Sequence, residues 1–136
     1  MPFGKHGLIA VDSNIIVRLL TGDDEIQYRA SCKLFTEHEI FIADTVILET
    51  EWVLRFAYEF DPPAICSAFR KLFGLPNLHL ENAQRIAQVI DWHEQGLDFA
   101  DAFHLALSQQ HSILKTFDQQ FIKRAEKLSK CAVEKP

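Results

Sequence analysis

The stretch GLIAVDSNIIVRLLTG, residues 7–22, carries the reading from which the fold class follows. Residues 7–11 are a short apolar run, read as a buried strand that ends at Asp12. Residues 13–20 then repeat apolar side chains at helical spacing until Thr21-Gly22 stops them. The same alternation continues along the chain. A helix is expected from Asp23-Asp24 to about residue 37, a strand at 40–43 and a long helix over about 45–60. Another helix opens at Pro62-Pro63 and closes at Gly74, with proline early and glycine late as helix ends prefer. Residues 77–80 read as a short extended piece, and helices follow over about 83–95 and 99–111. A strand at 113–117, a helix at 119–130 and a last strand at 131–133 complete the pattern. Short apolar strands alternating with helices indicate the α/β class, a three-layer α/β/α arrangement around a short, mainly parallel central sheet. In such sheets the chemistry lies beyond the carboxyl ends of the strands. Asp12 and Asp118 both fall at such ends.

The length of 136 residues suits one domain spanning 1–136, and no repeat, low-complexity tract or linker-like stretch divides it. With 48% hydrophobic and 24% charged residues the composition is that of an ordinary globular protein. The stretch before Asp12 holds only a four-residue apolar run, so no secretory signal is expected. No window approaches the ~18 apolar residues of a membrane span. A cytoplasmic location without membrane attachment is the expectation. Cys32, Cys66 and Cys131 are odd in number and widely spaced, which points to reduced thiols rather than a disulfide framework or zinc site. The net charge of −5 argues against gripping nucleic acid by bulk charge. Bound cations can still invert the local field at an acidic site.

The acidic residues are read one by one. Asp12 either caps the helix that follows it or serves a site, and the residues alone leave both open. Asn14 and Arg18 share a face of that helix, toward a site or as a surface pair. On the helix from residue 45, Val46, Glu49, Val53, Phe56 and Phe60 form one stripe, which predicts Glu49 on a core-facing side. A buried carboxylate needs a cation or an ion-pair partner. Glu51, Arg55 and Glu59 read as a solvated charge ladder. Ile47, Leu54 and Tyr58 form a second apolar strip on the opposite side, suited to an oligomer contact or a covering helix. Asp98 and Asp101 lie three apart, as N-cap and first-turn acid or as site residues. His104, one turn further, reads as a partly buried helix residue rather than a ligand. Asp118 ends the last apolar strand and either caps its helix or joins the site. Asp23, Asp24 and Glu25 are read as capping and solvating their helix, outside the site. The basic residues Lys123, Arg124 and Lys127 of the last helix are open to a solvated face or to phosphate steering.

Taken together, Asp12, Glu49, Asp101 and Asp118 stand at strand ends and on helix faces that can converge. Clustered carboxylates repel unless cations neutralise them. All-oxygen ligands favour Mg²⁺ or Mn²⁺, and two such ions suit hydrolysis of a phosphodiester.

The segments IAVDSNIIVRLLTGDD, VILETEWVLR, DFADAFHLAL and LKTFDQQF, in this order and spacing, resemble the successive motifs of the PIN domain. They most resemble the VapC-type toxins of bacterial toxin–antitoxin pairs, and the resemblance spans residues 8–121. It implies that Asp12, Glu49, Asp101 and Asp118 are an acidic quartet holding Mg²⁺ or Mn²⁺. Within it Asp12, Asp101 and Asp118 ligate directly, and Glu49 binds metal or acts through water. Asp98 matches an additional acid, and Ser13, Asn14 and Thr116 match supporting polar positions. His111-Ser112 depart from the pattern, where a glycine commonly precedes the strand. The resemblance further implies an endoribonuclease acting on RNA, often a transfer RNA, a cognate antitoxin protein that inhibits it, and a homodimer. Arg18, Lys123, Arg124 and Lys127 are then candidate RNA contacts.

Three rivals are weighed beside it. A magnesium-dependent aspartyl phosphatase with Asp12 as nucleophile typically has a second aspartate where Asn14 stands. A phospho-accepting receiver domain has only Asp44 to offer as its mid-chain acid. A PIN-fold binding module without catalysis is opposed by the intact quartet.

Overall fold

A computed structural model describes residues 7–136. The reading of residues 1–6 as free of a secretory signal lies outside the described residues. The chain forms two compact units, one ending at Glu81 and one spanning Asn82–Pro136. Both are built of the expected alternation of helices with short parallel strands.

The first unit runs β1 (Leu8–Ala10), α1 (Ser13–Thr21), α2 (Glu25–Glu37), β2 (Glu39–Ile42), α3 (Asp44–Ala57), α4 (Pro62–Phe73) and β3 (Leu78–Leu80). Its three strands lie in the order β1-β2-β3, all parallel, with Ile9 opposite Ile40 and Ile42 opposite Leu80. The central strand carries the core: Ile40 and Ile42 are fully buried. Helix ends follow local chemistry. Asp12, Asp24 and Asp61 each accept a backbone N–H two or three residues into their helices, from Ile15, Gln27 and Ala64. Gly22 closes α1 in the left-handed region at φ 64°, its N–H donating to the Arg18 carbonyl at 2.9 Å.

Two burial expectations fail in this unit. β1 was expected buried, yet Leu8 is 39% exposed and Ala10 is exposed too. A three-residue strand at the edge of its ladder offers only Ile9 for partial burial. On α3 the facing is the reverse of the one predicted. Ile47, Thr50, Glu51 and Leu54 are buried, while Glu49 and Phe56 are exposed. The inward face tolerates its polar residues because each finds a partner within one turn. Thr50 Oγ1 donates to the Val46 carbonyl at 2.7 Å, and Arg55 Nε donates to Glu51 Oε2 at 2.8 Å. Glu51 is thus a buried ion-pair member and not part of a solvated ladder.

The second unit runs α5 (Ala83–Glu94), α6 (Phe99–Leu107), β4 (Ile113–Lys115), α7 (Gln119–Ala125) and β5 (Ala132–Glu134). β4 and β5 pair in parallel, with Lys115 opposite Glu134. Ile86, Val89, Ile90, Leu97, Phe99, Phe103 and Leu105 form the core between α5 and α6. α6 ends at Leu107, four residues before the predicted limit. Ser108 Oγ and Gln109 Nε2 donate to the carbonyls of His104 and Leu105 and cap the helix there. α7 likewise ends at Ala125. The Ser129 hydroxyl donates to Gln109 Oε1 and accepts from the Cys131 N–H, turning the chain into β5. Cys32, Cys66 and Cys131 form no disulfide among the described residues, and Cys66 and Cys131 are buried. No helix among the described residues is long and apolar enough to cross a membrane.

Candidate active site

The acids of the sequence motifs divide between the two units, and each group has its own geometry. In the first unit Asp12 leaves β1 and caps α1, its Oδ1 accepting from the Ile15 N–H at 3.3 Å. That long bond leaves the exposed carboxylate ample accepting capacity. The next residue, Ser13, is buried, and its hydroxyl donates to Glu49 Oε1 at 2.5 Å. A helix-start residue and a mid-helix glutamate, 36 positions apart, are thereby joined beside Asp12. The partner expected for a buried Glu49 is therefore a hydroxyl, and the glutamate itself is exposed.

Asn14 is exposed on the first turn of α1. Arg18 is committed elsewhere. Its guanidinium donates to Asp23 Oδ1 at 3.0 Å, to the Tyr58 hydroxyl oxygen at 2.9 Å and to Gln27 Oε1 at 2.7 Å. The Tyr58 hydroxyl in turn donates to Asp23 at 2.5 Å. The Tyr58 bond, with help from Thr21 and Arg18, holds the Asp23 carboxyl below its ordinary 3.8. Asp23 is thus a lock for α1 and not the helix cap expected of it, a role that Asp24 fills alone.

In the second unit three acids gather around α6 and α7. Asp98 caps α6, accepting from the Asp101 N–H at 3.0 Å. Asp118 caps α7, accepting from the Phe121 N–H at 3.1 Å, while its own N–H donates to Thr116 Oγ1 at 3.0 Å. Asp101 sits partly buried between them. Burial first, then the charges of Asp98 and Asp118, push its carboxyl above the ordinary 3.8. His104 and Arg124 pull it back down. Asp101, His104, Thr116 and Asp118 line a cleft of about 420 Å³ with Leu114 and Phe121 as apolar wall. Lys123, Arg124 and Lys127 are all exposed, and of these Arg124 is the one whose charge reaches Asp101.

His104 is the residue that sequence reasoning undervalued. It is exposed, not partly buried, and it lines the cleft with Asp101. The signal was present in its spacing, one helical turn from Asp101, where side chains share a face.

Among the described residues no group of three or more His, Cys, Asp or Glu side chains stands close enough to hold a metal ion. The donor chemistry nonetheless suits a hard divalent cation. The donors are carboxylate oxygens, and Asp101 is held in mutual repulsion with two neighbours that a cation would relieve.

A family model described as the PIN domain matches residues 9–127 of the chain. Searches of curated proteins and of solved structures gave no match.

Proposed function

This chain belongs to the PIN domain family, whose members are generally nucleases and generally use divalent metals, and we propose that it is a metal-dependent endoribonuclease. The observation that carries the proposal is the cleft in which Asp101 and Asp118 stand together with His104 and Thr116, with Asp98 one turn before Asp101 and bonded to its N–H. Such crowding is costly for an apoprotein and favourable for one that binds cations. Asp12, Asp101 and Asp118, with Glu49 and the additional acid Asp98, are assigned as the residues that would hold Mg²⁺ or Mn²⁺, within one nuclease domain. Held there, such ions would supply Lewis-acid activation and charge neutralisation for phosphodiester hydrolysis.

The chain's own residues have separate tasks in this reading. Ser13 orients Glu49, which would either bind metal or act through water as base or orienter. Thr116 fixes the turn from which the Asp118 carboxylate projects. Arg124 and His104 meet the phosphate charge at the cleft, and Lys123 and Lys127 extend the basic face of α7. Arg18 keeps its place in the lock with Asp23 and Tyr58.

The motif order supports a finer assignment. In it the chain is a VapC-type toxin of the cytoplasm that cleaves RNA, a transfer RNA among the candidates, and is inhibited by a cognate antitoxin as a homodimer. The homodimer rests on the resemblance alone, because Ile47 and Leu54 of α3 are already buried within the single chain.

The deciding experiment is cleavage of RNA with and without Mn²⁺ or Mg²⁺. Metal-dependent cleavage that is abolished by Asp12→Asn and by Asp101→Asn is the expected result. Phosphate release from a small phosphomonoester with RNA left intact overturns the nuclease reading. Growth arrest on expression, relieved by Asp12→Asn, tests the toxin assignment separately.

A further inference from the structure

Residues 95–98 join α5 to α6, and the last turn of α5 clamps them. The Gly96 N–H donates to the His93 carbonyl and the Leu97 N–H to the Trp92 carbonyl, both at 3.0 Å. This is the bond pair by which a glycine turn ends a helix, and Gly96 takes the φ of 112° that it needs. The His93 side chain adds a third bond, between Nδ1 and the Leu97 carbonyl at 2.8 Å. A carbonyl can only accept, so Nδ1 carries the proton and donates it. Both polar groups of the Leu97 backbone are thus held by α5, and the next residue is Asp98. On the other side of Asp98 the His93 ring meets Phe99 edge to face, with centroids 5.2 Å apart and planes at 89°. Phe99 meets Phe103 in the same manner at 5.7 Å. His93, Leu97, Phe99 and Phe103 are all buried.

We propose that His93 is a positioning residue for Asp98 and Asp101, fixing through Leu97 and Phe99 the backbone that carries both acids. The proposal rests on the nuclease reading, in which these acids hold Mg²⁺ or Mn²⁺, and deepens it. His93 acts through the two residues that flank Asp98 rather than on a carboxylate. Asp98 passes the constraint on. Its Oδ1 accepts from the Asp101 N–H at 3.0 Å and its carbonyl accepts from the Ala102 N–H at 2.8 Å. A shift of the Leu97 peptide therefore moves the start of α6, and Asp101 with it. The chemistry of the ring favours this role over plain packing. Nε2 is buried with no hydrogen-bond partner among the described residues. Phenylalanine or leucine would fill the same space without stranding a buried nitrogen. What neither could supply is the Nδ1 donor.

The test titrates the full, metal-free chain with Mn²⁺ alone by calorimetry, well below the melting temperature of each protein. Two variants separate the bond from the ring. His93→Asn places an amide N–H where Nδ1 stands, His93→Gln places it where Nε2 stands, and both lose the ring contact with Phe99. Mn²⁺ affinity is expected to fall about tenfold in His93→Gln and to stay near wild type in His93→Asn. Amide exchange without metal is the second readout. The Asp101 and Ala102 N–H groups are expected to exchange faster in His93→Gln than in His93→Asn, with β4 and β5 alike in both. A role confined to stability lowers the melting temperature of both variants and leaves the Mn²⁺ affinity of the folded chain unchanged. Equal affinity in wild type and His93→Gln, or equal weakening in both variants, overturns the proposal. If a variant does not fold, the wild-type imidazole decides. Nitrogen NMR is expected to find a proton on Nδ1, and a ring protonated on Nε2 alone overturns the proposal too. RNA cleavage by the wild-type chain is assayed alongside. Cleavage and Mn²⁺ binding with an indifferent His93→Gln defeat this inference alone, whereas a chain that neither binds Mn²⁺ nor cuts RNA defeats the nuclease reading with it.

Discussion

The Ser13 hydroxyl donates to Glu49 Oε1 at 2.5 Å, joining the first residue of α1 to the middle of α3. A buried hydroxyl bonded to a carboxylate is worth more than a neutral pair, and its loss leaves the glutamate without its anchor. Ser13→Ala is therefore expected to lower unfolding stability by about 1–2 kcal/mol. Ser13→Thr, which keeps the hydroxyl, should lose less. Urea denaturation of the three proteins checks both statements, and equal midpoints for wild type and Ser13→Ala would remove the anchoring role.

Glu51 and Arg55 make a different kind of pair, because the glutamate is 2% exposed while the arginine reaches water. Removing only the arginine strands a buried charge. Arg55→Ala is expected to cost about 2–3 kcal/mol, below the range for fully buried pairs because Arg55 is partly solvated. Replacing both, as Glu51→Met with Arg55→Ala, should recover much of that loss. A double-mutant cycle by thermal or urea unfolding measures it, and additive losses would show that the pair is not coupled.

Asp101 provides a pH prediction whose sign follows from its raised carboxyl. Folding disfavours the charged form, so the group's stabilising contribution is present below the ordinary 3.8 and is lost as pH rises through the raised value. Without metal, Asp101→Asn is expected to melt higher than wild type near neutral pH, with the gap closing in acid. Added Mn²⁺ or Mg²⁺ should then raise the wild-type melting temperature more than that of Asp101→Asn. A variant whose advantage is the same at every pH would locate its effect elsewhere.

The Arg18–Asp23–Tyr58 lock titrates in the opposite sense. Asp23 is held down chiefly by the Tyr58 hydroxyl, so its contribution is present above 3.8 and disappears as pH falls through the depressed value. Tyr58→Phe removes the bonds to both Asp23 and Arg18. The Asp23 carboxyl is expected to move back toward 3.8, which carbon-detected NMR titration reads directly. An unmoved titration in Tyr58→Phe would assign the depression to Thr21 and Arg18 instead.

Much of this protein was legible in its residues because much of it is decided locally. Asp12, Asp98 and Asp118 cap helices in the structure as their position before a helix suggested, since a cap involves only the next three backbone N–H groups. Gly22 and Pro62-Pro63 punctuate α1 and α4 for reasons contained in their own backbones. The family resemblance drawn from four short motifs holds over residues 9–127. The same local chemistry also explains why helix ends were overrun after Leu107 and Ala125. There the terminating bonds come from Ser108, Gln109 and Ser129 side chains, which periodicity does not register.

What periodicity could not decide was which face of α3 turns inward. The helix carries two apolar stripes of nearly equal merit, one broken by Glu49 and the other by Glu51. A carboxylate is tolerated inside wherever a partner meets it, and Arg55 one turn away meets Glu51. Ser13, brought up by α1, gave Glu49 an outward role instead. The sequence by itself determined the order of elements, their caps and the acids available for chemistry, because those depend on neighbours along the chain. Only the tertiary structure decided which glutamate is buried, that His104 opens onto the Asp101 cleft and that Arg18 is locked to Asp23. Those outcomes depend on surfaces and charges that meet only when distant segments pack.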